Sequence, residues 1–168
     1  MKSLFYFLIA ASILICSCTE QNSNNKVSLK TFNRTWLDSI IKLSDSSYIK
    51  PYKRSDFVTA IFYINNKDSS ICQVMKDSAG IIRQIIIAKK DIRTFLGQYY
   101  TNGQLQAELP LDEFGQYHGA AIFYYENGNI KSSGDYVHGL KTGQWKIFNE
   151  KGKLVSTDTY NKNGQPVK

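Results

Sequence analysis

QYYTNGQL at residues 98–105, FYYENGNI at 123–130 and KIFNEKGKL at 146–154 are three versions of one unit. Their glycines, Gly103, Gly128 and Gly152, stand 25 and 24 residues apart, a period at which each copy is one supersecondary element of an array. Asn102 followed by Gly103, and Asn127 followed by Gly128, accept positive φ at both centres of a type I′ hairpin turn. Lys151 followed by Gly152 is a weaker form of the same turn. Two-residue loops place Tyr100 opposite Leu105, Tyr125 opposite Ile130 and Asn149 opposite Leu154. Period-two alternation then gathers Phe123, Trp145 and Ile147 onto the face of Leu105, Ile130 and Leu154, where they are expected to bury against an N-terminal helix. The same rule puts Tyr99, Tyr124 and Phe148 on the opposite face, about 10 Å apart as alternate strands of a sheet.

Working outward, MKDSAGIIRQ sets Gly80 23 residues before Gly103 and marks a degenerate earlier copy, so four hairpins are expected. Gly115 and Gly119 correspond to Gly139 and Gly143, which implies one backbone shape at both junctions. Tyr136 and Tyr160 each fall eight residues after a turn glycine, as Leu111 does in the first copy, a recurrence that points to packing. Before the copies, residues 57–64, 70–76, 81–89 and 92–100 read as strands. Phe32, Trp36, Ile40 and Leu43 recur at helical spacing and predict one amphipathic helix over residues 29–43, and Pro51 stops any helix beyond it. The 168 residues, 42% hydrophobic, suit one modest domain. The fold class is mainly β, an antiparallel meander of repeated hairpins in a curved sheet with one N-terminal helix. Residues 27–96 and 97–168 form one continuous domain.

The N-terminus has Lys2, an apolar run over residues 4–15, then Cys16, Ser17 and Cys18, in the order of an export signal too short to span a bilayer comfortably. Aliphatic Ile15 and small Ser17 before Cys18 resemble a bacterial lipoprotein signal. That resemblance implies removal of residues 1–17, diacylglycerol on Cys18, and residues 18–26 as a flexible tether. Each buried methylene adds roughly 0.8 kcal/mol of membrane affinity, so several acyl chains make an effectively permanent anchor. Thr19 resembles the residue after the cysteine in lipoproteins sent to an outer membrane, where the envelope has two membranes. The mature chain keeps only Cys72, set between apolar neighbours as a buried thiol and unable to form an internal disulfide.

Aromatic strand, Asn-Gly, aliphatic, polar strand, tyrosine and Gly-x-x-x-Gly-x-Trp together resemble the variant MORN repeat of the YwqK-like antitoxin family. The likeness covers residues 97–166 well and 72–96 poorly. It implies strings of antiparallel hairpins in a curved sheet, and supplies no catalytic residue or cofactor.

The residues themselves offer no catalytic set. Ser39 with Lys42, and Lys141 with Thr142 and Gly143, echo the motifs of penicillin-interacting serine enzymes, but the chain is too short for that fold. Asp112 and Glu113 read as a solvated acidic turn. His118 and His138 do not align between copies and, with Cys72, form no close ligand pair in the sequence, so no metal and no cofactor are expected. Residues 26–96 hold 13 Lys or Arg against 6 Asp, a net of +7, whereas residues 97–168 hold 7 against 7. Lys50, Lys53 and Arg54 concentrate that charge around Pro51 and Tyr52, a patch suited to anionic headgroups or an acidic partner. Nucleic acid is not an expected partner outside the cytoplasm.

The expected function is a lipid-anchored, non-enzymatic binding module of the cell envelope. Its partner would be a protein or an envelope polymer, met through Tyr99, Tyr124 and Phe148 with Lys50, Lys53 and Arg54 as an electrostatic aid. The alternatives are an immunity-type protein that neutralises a toxin, and a structural spacer that self-associates in an envelope assembly. Oligomeric state is not legible in the sequence.

Overall fold

The computed structural model describes residues 34–54 and 57–167. The expected signal peptide, Cys18, the tether and the start of the expected helix, Phe32 included, lie outside the described residues. A helix, α1 (Arg34–Lys42), precedes the strands β1 (Ser46–Arg54), β2 (Phe57–Asn65), β3 (Ser70–Lys76), β4 (Ile82–Lys89), β5 (Ile92–Tyr99) and β6 (Leu105–Pro110). They continue as β7 (Gly119–Tyr124), β8 (Ile130–Val137), β9 (Leu140–Phe148), β10 (Leu154–Tyr160) and β11 (Pro166–Val167). All pair in chain order in one open 11-stranded antiparallel sheet. The four strands read over residues 57–100 stand within a residue of their expected bounds.

β1 is a strand that the sequence reading missed. Pro51 cannot donate to a ladder, but β1 is an edge strand that pairs only with β2, and its register breaks between Pro51 and Arg54. The helix is shifted as well. Leu37, 1% exposed, is its buried residue and packs with Ile40 and Ile41, at helical i, i+3, i+4 spacing, onto Cys72, Val74 and Ile85. Trp36 and Leu43, expected in that stripe, are 40% and 67% exposed. Trp36 still sets its ring edge-on to Phe95, centroids 5.6 Å apart.

The Asn-Gly turns are not type I′. Asn102 and Asn127 keep negative φ, whereas Gly103 and Gly128 take φ of 82° and 85°. Gly128 N donates to Tyr125 O at 2.9 Å and Tyr125 N to Asn129 O at 2.8 Å, closing a three-residue loop: a type I turn, then a left-handed glycine. The same pair of bonds recurs at Gly80, Gly103, Gly115, Gly152 and Gly164, so the degenerate copy at Gly80 has the shape of its successors. Position i of the loop is Asp77, Asp112, Asn149 or Asn161 in four copies, each carboxylate or amide oxygen accepting two backbone N–H groups of its own loop. Where a tyrosine takes position i, Asn102 or Asn127 accepts one of those donors from within the loop. True two-residue turns with positive φ at both centres occur instead at Lys90 with Asp91 and at His138 with Gly139.

The longer loop moves the register by one residue. Tyr99 faces Leu105, Tyr124 faces Ile130 and Phe148 faces Leu154, and an extra residue (Gln106, Lys131 or Val155) follows in each returning strand as a bulge. Leu105, Ile130 and Leu154 therefore share a face with Tyr99, Tyr124 and Phe148, the opposite of the expected sorting. Phe123, Trp145 and Ile147 do lie together, on the other face.

Two cores result, one on each side of the sheet. Under α1, Leu37, Cys72, Val74 and Ile85 are joined by Phe95, Tyr99 and Leu105. On the reverse of the C-terminal strands, Ala107, Leu109, Ala121 and Trp145 are joined by Leu96, Phe123, Tyr136 and Tyr160. The helix thus covers the face away from Trp145, not the Trp145 face. Trp145 is 1% exposed, donates Nε1–H to Asp135 O at 3.1 Å, and meets Tyr136 and Tyr160 edge-on, which gives the recurrent tyrosines the packing role their spacing suggests.

Cys72 is free and buried, as read from its apolar neighbours. Desolvation by burial pushes its thiol up to about 12. At pH 8 its thiolate population should be about a thousandfold below that of an ordinary cysteine. In a chain with Cys16 and Cys18 replaced by serine, iodoacetamide should label Cys72 rapidly only after unfolding in urea; equally fast labelling of native protein would show the thiol to be open.

Candidate functional site

Antiparallel strands joined in chain order put alternate loops on opposite rims of the sheet. One rim carries the loops at Gly80, Gly103, Gly128 and Gly152, and the last three are tied into a row. Tyr100 donates its hydroxyl to Tyr124 O at 2.7 Å and Tyr125 donates to Phe148 O at 2.9 Å. Asn102 Nδ2 donates to Glu126 O at 3.1 Å, while Asn127 and Asn129 both donate to Glu150 O, at 2.9 and 2.7 Å. The second residue of each aromatic pair is therefore a cross-copy fastener. Thr101, Glu126, Glu150 and Lys151 project from this row as exposed side chains.

The first aromatics form the expected column but not the expected open surface. Tyr124 is buried and donates its hydroxyl to the carboxylate of Glu108, itself only 4% exposed. Tyr99 is half-buried in the core under α1, and Phe148 is half-buried. Tyr124, named as a contact residue, is corrected to a core residue. The cause is the loop one residue longer than a type I′ turn, which turned this column toward Leu105 and the helix. A cleft of 610 Å³ opens beside it, lined by Leu37, Lys76, Ile82, Tyr99 and Leu105. Of the basic cluster, Lys50 is exposed on edge strand β1, and the side chains of Lys53 and Arg54 lie outside the described residues.

The opposite rim brings together residues that the sequence keeps apart. Gly119 pairs with Tyr136, and Gly139 N donates to Tyr117 O at 2.8 Å, so the β7–β8 ladder carries His118 up to His138. Their ring centroids are 5.0 Å apart. His138 Nδ1 lies 2.9 Å from Asp112 Oδ2, and Asp112 Oδ1 accepts from Phe114 N and Gln116 N. Desolvation pushes the Asp112 carboxyl up, but the N–H donors of Gln116 and Phe114 together with His138 outweigh it and hold it below the usual carboxylate range. The expectation that the two histidines form no close pair is corrected. The signal lay in the hairpin register, since His118 and His138 each precede a junction glycine. Beside them a cleft of 500 Å³ is lined by Arg93, Leu96, Tyr117, His138 and Leu140.

Lys141, half of the apparent serine-enzyme motif, lies over the Trp145 and Tyr160 rings at 4.3 and 5.2 Å, a cation–π contact within the repeat core. Among the described residues, no helix is long and apolar enough to cross a membrane.

The model of a MORN repeat variant matches residues 98–112, 117–138 and 141–166, and each matched stretch contains at least one of the left-handed glycine loops or the strands they join. No curated protein matches the chain.

Proposed function

From a chain whose residues 98–166 carry variant MORN repeats, we propose a lipid-anchored envelope protein that works by non-catalytic binding through the rim of tied hairpin loops. Repeats of this kind are in general protein- or membrane-binding modules. The observation that carries the proposal is the row itself. Its backbone groups are already bonded within and between loops, so the loops are held in fixed order and present exposed Thr101, Glu126, Glu150 and Lys151 to a partner. A preordered surface loses little conformational entropy on binding. Tyr100 and Tyr125 serve that order, whereas Tyr124 is buried in the sheet. Cys18 supplies the tether, and the basic N-terminal half biases the domain toward acidic surfaces. A YwqK-like immunity role would be the same mode of action with a toxin as the partner.

The anchor and the rim are tested separately. Wild-type protein should sediment with membranes, and Cys18→Ala should appear in the soluble fraction with no acyl mass; unchanged sedimentation of the variant would remove the anchor. Photo-crosslinking amino acids at Thr101, Glu126 and Lys151 should give adducts of one common mass in intact cells, with few at exposed Ser78 outside the tied row. Adducts at none of the three rim positions would remove the rim as the contact surface.

A further inference from the structure

We propose that Asp112, His118 and His138 form a binding site for one divalent first-row transition-metal ion, with zinc the simplest case. Their ligand atoms all lie within 4.8 Å of one another, although Asp112 and His118 come from the β6–β7 connection and His138 from the β8–β9 turn. Zinc bonds of about 2.0–2.1 Å to nitrogen and oxygen require donors about 3.3 Å apart. The Asp112 Oδ2 to His138 Nδ1 distance of 2.9 Å already approaches that spacing. The imidazoles of His118 and His138 are exposed, so rotation about their side-chain bonds can bring the remaining donor in without disturbing the core.

The carboxylate is fixed for the purpose by its backbone. Asp112 Oδ1 is held by two N–H groups of its own loop, which leaves Oδ2 aimed at His138. His138 occupies the first position of a two-residue turn at φ 47°, a place where asparagine or aspartate is the ordinary residue. Two imidazoles and one carboxylate suit zinc, copper or nickel, whereas calcium and magnesium prefer oxygen alone. Three protein donors leave a further coordination position for water or for a donor from a second molecule.

The chain has 2 histidines, so the imidazole resonances of untagged full-length protein in detergent report this site and nothing else. Titration with zinc chloride should shift or broaden both rings and saturate at one ion per chain by calorimetry. His118→Ala and His138→Ala should each weaken binding at least about tenfold, a loss that even removing a supporting partner can cause. Asp112→Asn should also weaken it while keeping the loop, because asparagine holds the same position with the same two bonds at Asn149 and Asn161. Unchanged thermal unfolding of the metal-free variants would confirm that the fold is intact. The proposal fails if neither ring responds to millimolar zinc, or if the double histidine variant binds zinc as the wild type does.

Discussion

Gly134→Ala is expected to destabilise the protein by about 3 kcal/mol, the upper part of the range for overpacking a filled core. Gly134 lies in β8, and a Cβ built on it would sit 2.4–2.6 Å from three atoms of the Trp145 indole. Its φ is not in the left-handed region, so the cost is steric. The indole has nowhere to retreat. Tyr136 and Tyr160 meet it edge-on with centroids at 5.0 and 6.5 Å, Phe123 is tilted against it at 6.2 Å, and its Nε1–H is bonded to Asp135 O. Trp145→Ala should cost about 3–5 kcal/mol through the cavity it leaves. Combining Gly134→Ala with Trp145→Ala removes the clash, so the double variant should be more stable than additivity predicts, by about 1–3 kcal/mol. Urea unfolding followed by far-ultraviolet circular dichroism measures all three. Strict additivity would mean that the indole and Gly134 are not in contact in solution.

Most strand positions were legible because alternation and glycine punctuation are local signals, and the residues that set them are contiguous. The face of each strand was not. Type I′ turns and the observed loop both need a left-handed glycine, so Asn102 with Gly103 fits either, yet the two differ by one residue and that difference reverses every side chain. A discriminating signal was present: Asp77, Asp112, Asn149 and Asn161 stand three positions before a glycine, the pattern of a type I turn closed by glycine. The bulges at Gln106, Lys131 and Val155 have no comparable signature, because an extra exposed residue, polar or apolar, on a half-exposed strand costs little. β1 was hidden by Pro51 and by charges that suit an edge strand as well as a loop. The Asp112, His118 and His138 cluster was hidden by reading the copies for equivalence, when its members meet because they are not equivalent. His118 precedes the second glycine of one junction and His138 the first of the next.

Tyr124→Ala is expected to cost about 3–5 kcal/mol, the loss for deleting a large buried aromatic side chain, and so it reports on stability before it reports on binding. Tyr124→Phe isolates the hydroxyl. It keeps the ring but leaves the Glu108 carboxylate without the phenol as donor at a site 4% exposed, a loss of about 1–3 kcal/mol. The alkaline limb of stability separates that hydrogen bond from packing. Desolvation first, then the Glu108 hydrogen bond and charge, raise the Tyr124 phenol above its ordinary value. A folded-state value above the unfolded one gives stability that is complete below about pH 10, the unfolded tyrosine value, and is lost as pH rises beyond it. Cys72 also titrates above its unfolded value in alkali, but it does so equally in the wild type and in Tyr124→Phe. The difference in unfolding free energy between the two proteins should therefore be constant through neutral pH and shrink above about pH 10. Parallel curves through that range would mean that the phenol titrates alike in folded and unfolded chains, and that its bond to Glu108 does not hold the sheet at this position.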